Sequence, residues 1–352
     1  MRQDKRSEKR HEKIVVVGGA GYVGAHMVTL LQDEGYEVVV LDNLSRGVPN
    51  ATSAPLFEID LRDVNALDTF FSKYPCDLVM HFAALAYVGE SVVEPALYYQ
   101  NNVVGTLNLL DVMRKYRKPP LVFSSSCATY GEPNAIPISE SHLQNPINPY
   151  GKSKFFIEQA LRDYGNAYGQ QSISLRYFNA AGCDPQGRVG EEHQPETHLI
   201  PLVLAEALRL KKGGNPAKTT LQVFGHDFAT ADGSCVRDYI HVSDLCLGHL
   251  QSAKRLFSGA VKGAEFYNLA NGYGFSVLEV INACRQVTGQ DIGFTIQPRR
   301  TGDPAVLVGD ASQALKILAW SPQIPALEDI IASAWNWVVQ HDRQLELVAQ
   351  GK

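Results

Sequence analysis

Val15-Val16-Val17-Gly18-Gly19-Ala20-Gly21-Tyr22-Val23-Gly24 decides the fold of this 352-residue chain. Three β-branched residues run into a glycine-rich turn, and helix-compatible sequence follows. Gly19, Gly21 and Gly24 satisfy G-x-G-x-x-G, and Gly18, Gly21 and Gly24 satisfy G-x-x-G-x-x-G. Phosphate oxygens can approach a backbone only where Cβ atoms are missing. The helix opened by Tyr22 and Val23 then offers free N–H groups and the positive end of its dipole. Alone the glycine pattern is weak. Here it follows a strand and opens a helix, and about 20 residues on comes the acid Asp42 after Val38-Val39-Val40-Leu41. That combination is a dinucleotide fingerprint. A carboxylate at Asp42 accepts ribose hydroxyls and repels a 2′-phosphate, so NAD is expected rather than NADP, although Arg46 lies close by. Asp60, after the third strand, is a candidate for the adenine amine or a loop-capping aspartate.

Outward from this turn, short apolar runs alternate with helical stretches. Strands are expected at Ile14–Val17, Val38–Val40, Leu56–Ile59, Leu78–Phe82, Leu121–Phe123 and Ile173–Phe178. Helices are expected at Val23–Asp33, Val64–Lys73, Pro95–Lys115 and Pro149–Ala167. Continuous apolar strands are buried on both faces, which indicates an α/β, doubly wound parallel sheet of Rossmann type. After Asn179, Pro185, Gly187, Gly190 and Pro195 break the chain into shorter pieces. Residues 13–180 are therefore read as the dinucleotide domain, with about 238–257 packing back on it. Residues 181–352 are read mainly as a smaller α/β substrate domain. Further helices are expected at Leu199–Lys212, Ser243–Lys254 (opened by Ser243), Ser276–Thr288 and Leu327–Gln340.

Composition narrows the function. Lys+Arg 32 against Asp+Glu 37 gives a net charge of −5, which disfavours nucleic acid or an anionic membrane as partner. No apolar run approaches the roughly 20 residues of a membrane span. The six cysteines show no Cys-x-x-Cys spacing and no cluster with His suggests zinc, so no metal is expected, and a cytoplasmic protein with reduced thiols is. Residues 1–12 lack the apolar stretch of a secretory signal and read as a disordered tail.

Tyr150 and Lys154 lie four apart and share a face if helical. A phenol with pKa near 10 is a poor base at neutral pH. Lowering it about three units needs roughly 4 kcal/mol. A nearby ammonium and a positive nicotinamide ring would supply that, giving a base for a hydroxyl proton while hydride moves. Ser124-Ser125-Ser126 ends a strand, where parallel sheets present side chains to the ligand crevice.

Together these residues resemble the extended short-chain dehydrogenase/reductase family, most nearly its UDP-glucose 4-epimerase branch. The resemblance runs from about Lys13 to about Trp337. It is carried by Gly18–His26, Asp42-Asn43-Leu44, His81-Phe82-Ala83-Ala84, Val88-Gly89-Glu90-Ser91, Asn101-Asn102-Val103, Tyr130-Gly131, Arg176-Tyr177-Phe178-Asn179, Val236–Val242 and Arg300-Thr301-Gly302-Asp303. It implies Tyr150 as base, Ser126 as its hydroxyl partner and Lys154 on the nicotinamide ribose. It implies a cofactor site of Gly18, Gly21, Tyr22, Val23, Gly24, Asp42, Asn43, Asp60, Leu61, Phe82, Ala83, Ala84, Ala86, Asn101, Lys154 and Phe178. It implies UDP-sugar contacts from Ser126, Tyr150, Asn179, His198, Leu199, Val223, Phe224, Arg237, Arg300, Asp303 and Leu307. Arg237 and Arg300 would clamp the diphosphate, as guanidinium forks suit, and Asp303 the uridine ribose.

The implied activity interconverts UDP-galactose and UDP-glucose through a 4-keto intermediate with tightly bound NAD. UDP-N-acetylhexosamines or UDP-pentoses are alternative substrates. His198 stands where the family often has Asn, and Leu307 where some relatives carry Tyr and others a small residue. A nucleotide-sugar dehydratase is disfavoured, because Cys127 and Ala128 occupy the places of that branch's Asp-Glu pair. A non-catalytic NAD-binding protein would not need Tyr150 and Lys154. A homodimer is expected, with Tyr98, Tyr99, Leu107, Leu110, Phe155, Phe156 and Leu161 as its apolar faces.

Overall fold

The computed structural model describes residues 12–193, 195–300 and 303–349. Residues 1–11 of the expected tail 1–12, and Thr301-Gly302 of the Arg300–Asp303 motif, lie outside the described residues; Lys13 already belongs to the first strand. The chain opens with β1 (Lys13–Val17), α1 (Tyr22–Asp33), β2 (Glu37–Asp42), β3 (Leu56–Glu58), α2 (Val64–Lys73) and β4 (Leu78–His81). There follow α3 (Val88–Val93), α4 (Pro95–Tyr98), a π-helical turn at Tyr99–Val104, α5 (Gly105–Lys115), β5 (Leu121–Ser124), α6 (Pro149–Tyr168) and β6 (Ser172–Tyr177). The rest is β7 (Asn179–Ala181), α7 (Leu199–Lys211), β8 (Gln222–Phe224), β9 (Val236–His241), α8 (Val242–Phe257), β10 (Ala264–Leu269), β11 (Gly274–Ser276), α9 (Val277–Thr288), β12 (Thr295–Gln297), β13 (Val306–Leu307), α10 (Ser312–Leu318) and α11 (Leu327–Ala349).

Seven strands form one parallel sheet in the order β10-β6-β5-β4-β1-β2-β3. The order reverses between β1 and β4, so a crevice opens outside the carboxyl ends of those two strands. β1 and β4 are buried almost throughout because both sheet faces are covered. One face packs α1 and α8 through Met27, Val28, Leu31, Leu245 and Leu250; the other packs α2, α5 and α6 through Leu67, Phe70, Leu109 and Leu161. A separate core joins α7, α9 and α11 through Val203, Leu204, Ile281, Ile330 and Trp335. Beside it, β9 pairs with β7, β11 and β13, and β8 pairs with β12.

The sequence periodicity locates every strand of the sheet but β10. Pro95–Lys115 is expected as one helix, but the π turn interrupts it. Ser243 does not open α8; His241 does, its Nδ1 accepting the Ser243 N–H at 3.0 Å. Ser276 does open α9, in a reciprocal capping box with Glu279.

Candidate active site

The glycine turn sits at the carboxyl end of β1. Gly18 has φ +81°, and a Cβ there would fall 2.4 Å from the Ala83 nitrogen at the end of β4. A Cβ on Gly24 would lie 2.0 Å from the Gly18 oxygen, so the turn cannot close around a larger residue. Gly21 differs: its Cβ would meet only the Gly18 oxygen, at 3.6 Å. Gly21 is also the N-cap of α1, and no side chain caps that end. An open face, a missing Cβ and uncapped N–H groups fit a dinucleotide diphosphate.

Asp42 ends β2 as expected. Its carboxylate accepts the Ala20 N–H at 3.0 Å and the Leu44 N–H at 2.9 Å, which aims it at the turn. Burial pushes its pKa up against those two donors. Asn43 donates to Asp60 at 3.0 Å. Asp60 is also gripped by Arg62, which donates through Nε at 2.9 Å and its terminal nitrogen at 2.6 Å. The guanidinium holds that carboxyl far below its usual range. Phe82 and Ala83 donate backbone N–H groups to the Val17 carbonyl, at 2.8 and 3.0 Å, bringing the Phe82–Ala86 segment against the turn.

Asn102 orders that segment, a role the sequence reading missed. Fully buried in the π turn, it accepts the Leu85 N–H at 2.9 Å, donates back to the Leu85 carbonyl at 3.0 Å and reaches Ser153 at 3.1 Å. Half-buried Asn101 donates to Asn102 at 3.0 Å. Leu61 is largely buried, and its carbonyl accepts from Asn108.

Tyr150 lies in the first turn of α6, which opens with Asn148 as N-cap and Pro149 at its first position. Lys154, one turn on, is 3% exposed. Its Nζ donates to the Ser124 carbonyl at 2.8 Å and lies 6.0 Å from the Tyr150 ring centre. Burial pulls the lysine down to about 7. Burial raises the Tyr150 phenol, partly offset by the Ser126 hydroxyl beside it. A positive charge bound beside the phenol would act against that burial.

The three serines at the end of β5 and just after it have separate tasks. Ser124 shares a 2.6 Å hydrogen bond with the Tyr177 hydroxyl, and Ser125 donates to Glu158 at 2.6 Å. Ser126 caps the short turn Cys127–Thr129 by accepting the Ala128 N–H. Glu158 in turn receives a fully buried Arg176 through two bonds of 2.9 and 2.6 Å, and Arg176 also donates to Tyr130. This ionic floor under the site has no local sequence signature, because its members are 18 to 46 positions apart.

On the facing side, β9 carries Arg237, which donates to the Pro304 carbonyl at 2.9 Å and lies 3.8 Å from Asp303. Arg300 donates to the other Asp303 oxygen at 2.9 Å and lies over the Phe224 ring. The two arginines and Asp303 thus converge although Arg237 and Arg300 are 63 positions apart in sequence. Val223 points into the core of α7 and α9, which leaves its backbone as the part able to reach a ligand. Leu307 pairs in register with Arg237 and packs on the cluster of Cys127, Tyr130 and Phe178. Half-buried Asn179 begins β7. Leu199 begins α7, and the His198 Nδ1 just before it lies 2.5 Å from Glu191.

Residues 14–270 match the model of the "NAD dependent epimerase/dehydratase family". The chain is 49% identical over 329 residues to a UDP-glucose 4-epimerase of Halalkalibacterium halodurans, covering 93% of this chain and 96% of that one. It is similar to the crystal structure of UDP-glucose 4-epimerase from Brucella ovis in complex with NAD, with TM-score 0.86, 44% identity, and 92% and 98% of the two chains covered. It is also similar to the UDP-glucose 4-epimerase structure from Bifidobacterium longum in complex with NAD+ and UDP, with TM-score 0.87, 37% identity, and 94% and 99% covered.

Proposed function

Because the chain belongs to the NAD dependent epimerase/dehydratase family, we propose a division of labour among its residues for one reaction. That reaction is the NAD-dependent 4-epimerisation of UDP-glucose and UDP-galactose, through a 4-keto sugar. The observation that carries the assignment is the placement of Tyr150, Lys154 and Ser126 beside an uncapped glycine turn, across from Arg237, Asp303 and Arg300.

NAD, when bound, supplies a reversible hydride acceptor and a positive ring. Gly18, Gly21, Gly24, Tyr22 and Val23 would hold its diphosphate and Asp42 its ribose. Phe82–Ala86, Asn43, Asp60, Leu61, Asn101 and Phe178 would line the rest. Tyr150 takes the proton of the C4 hydroxyl and later returns it, with Ser126 holding that oxygen. Lys154 orients the ribose and adds positive charge near the phenol. Arg237 and Arg300 grip the diphosphate of UDP and Asp303 the uridine ribose. Asn179, Leu199, Val223 and Phe224 complete the pocket. Firm hold on UDP with looser hold on the hexose would leave the sugar free to present either face of C4 to the cofactor site. Leu307 would face the sugar C2 substituent and set tolerance for N-acetyl sugars.

Residues 13–180 would serve the cofactor and 181–352 mainly the sugar nucleotide, with β9, α8 and β10 returning to the first part. A homodimer would form through α3–α6. Val92, Val93, Leu97, Val104 and Phe156 are exposed there, and Tyr99 lies 6.0 Å from Phe156. Tyr98, Leu110 and Leu161 do not contribute to that face, because each is fully buried within the chain. Six free cysteines, five of them buried, suit the reducing cytoplasm. No described helix is long and apolar enough to cross a membrane.

The test is incubation of purified protein with UDP-galactose, with product identified by chromatography, alongside mass identification of the nucleotide released on denaturation. UDP-glucose and NAD are expected. NADP as the dominant nucleotide would overturn the role of Asp42.

A further inference from the structure

Between β7 and α7 the chain reads Glu191-Glu192-His193-Gln194-Pro195-Glu196-Thr197-His198, the pattern Glu-x-His-x-x-Glu-x-His. The described side chains of Glu191, His193, Glu196 and His198 converge, one donor atom from each lying within 4.8 Å of all the others. The His193 Nδ1 is 3.3 Å from Glu191 and 3.4 Å from Glu196. The His198 Nδ1 is 2.5 Å from Glu191 and 3.9 Å from Glu196.

We propose that these four residues form a structural zinc site, closed by two imidazoles and two carboxylates. Zinc binds His nitrogen and carboxylate oxygen at about 2.0–2.2 Å, so ligand atoms on a tetrahedron lie about 3.3 Å apart. The two His193 separations match that edge, whereas His198, hydrogen-bonded to Glu191 at 2.5 Å, would have to draw back to join them. The His193 separations do not match hydrogen bonds, since the buried His193 Nδ1 has no hydrogen-bond partner. The charge argues the same way. In the ion-free cluster the carboxylates, one of them only 6% exposed, are balanced by raising both imidazoles toward the protonated form. With both imidazoles protonated, two cations sit with ring centres 5.1 Å apart. A dication cancels the carboxylates while leaving both rings neutral, the form in which imidazole binds metal.

The carboxylates are also aimed. Glu196 accepts the Thr197 and His198 N–H groups through one oxygen, at 2.7 and 2.8 Å, which turns its other oxygen toward His193. Such outer hydrogen bonds fix ligand orientation in metal sites. Four protein ligands leave no open position, so the ion's task is mechanical rather than catalytic. It would tie Glu191, His193 and Glu196 to His198 at the start of α7. The Tyr87 hydroxyl already donates to the Pro195 carbonyl at 2.9 Å, and His193 stands edge-on to Tyr22. This departs from the expectation that no metal is held, which rested on the cysteine spacing and on finding no cluster with His that suggests zinc.

The experiment uses the full chain without a histidine tag, grown with zinc and analysed by elemental mass spectrometry and X-ray absorption. About one zinc per chain, with four N/O neighbours at about 2.0–2.1 Å, is expected. Removing it with dipicolinate should lower Tm by several degrees, and ZnCl₂ but not MgCl₂ should restore it. His193→Gln and Glu191→Gln should each cut zinc content at least about tenfold while bound NAD is retained. Less than about 0.1 zinc per chain, with no Tm response to ZnCl₂, would reduce the cluster to ion pairs and overturn the proposal. Unchanged zinc in both variants would overturn it equally. Should the variants not fold, the metal content and absorption spectrum of the unaltered chain decide the matter.

Discussion

Tyr150 is the proposed base, and its setting opposes that role. Burial raises the phenol, and Lys154, itself pulled down to about 7, cannot alone reverse that. Tyr150→Phe should retain NAD and lose about 10²–10⁴ in rate, measured as kcat on UDP-galactose. Lys154 makes a second prediction, for the cofactor-free protein. A lysine with a depressed folded pKa binds fewer protons folded than unfolded between about pH 7 and 10.4. Stability should therefore rise with pH across that window. Urea midpoints at pH 6.5–9 should climb more steeply for wild type than for Lys154→Met; parallel slopes would refute the buried cation. Leu307, in register with Arg237 and packed near Phe178, makes a third. Leu307→Tyr should depress activity on UDP-N-acetylgalactosamine while sparing UDP-galactose. Steric exclusion exceeds the about 1–3 kcal/mol of a lost methylene contact. A parallel fall in both activities would remove Leu307 as the gate.

Helix α6 positions both Tyr150 and Lys154, and one glycine sets its approach. A Cβ on Gly151 would lie 2.4 Å from the Ala128 carbonyl oxygen, in the turn that Ser126 caps. Gly151→Ala should push α6 away from β5 and misplace the phenol relative to Ser126. Displacements near 1 Å cost about 10²-fold when reacting groups must be aligned. Steady-state kinetics should show kcat falling at least tenfold with circular dichroism unchanged. The π turn between α4 and α5 works at the same scale. One wider turn swings Asn102 inward onto Leu85, whose segment borders the glycine turn. Helical periodicity located this stretch as helix but could not reveal the π turn, since apolar spacing barely changes across it.

The whole molecule sets the seven-stranded sheet, with the glycine turn after β1 and Tyr150 on α6, beside a smaller sheet whose β9 carries Arg237 with Asp303 next to it. The helices α3 to α6 flank that sheet and expose Val92, Val93, Leu97, Val104 and Phe156. Phe156→Glu should convert a dimer into a monomer in light scattering at micromolar concentration, because a buried unpaired carboxylate is costly. A monomeric wild type would reject the interface.

The sequence by itself determined the local pieces. Val15–Gly24 followed by Asp42 marks the turn and its acid because strand, turn and helix dictate residue types within about 30 positions. Tyr150 and Lys154 were legible because helical spacing alone puts them on one face. Only tertiary structure decided the rest. Arg176 meets Glu158 and Tyr130, Arg237 meets Arg300 through Asp303, and β10 joins β6. Arg300 and Asp303 are three apart, but every other one of these partnerships spans a distance in sequence over which no periodicity operates. A buried charge accepts whichever opposite charge the packed chain brings to it, so its partner is fixed by the fold and leaves no mark beside it in the sequence.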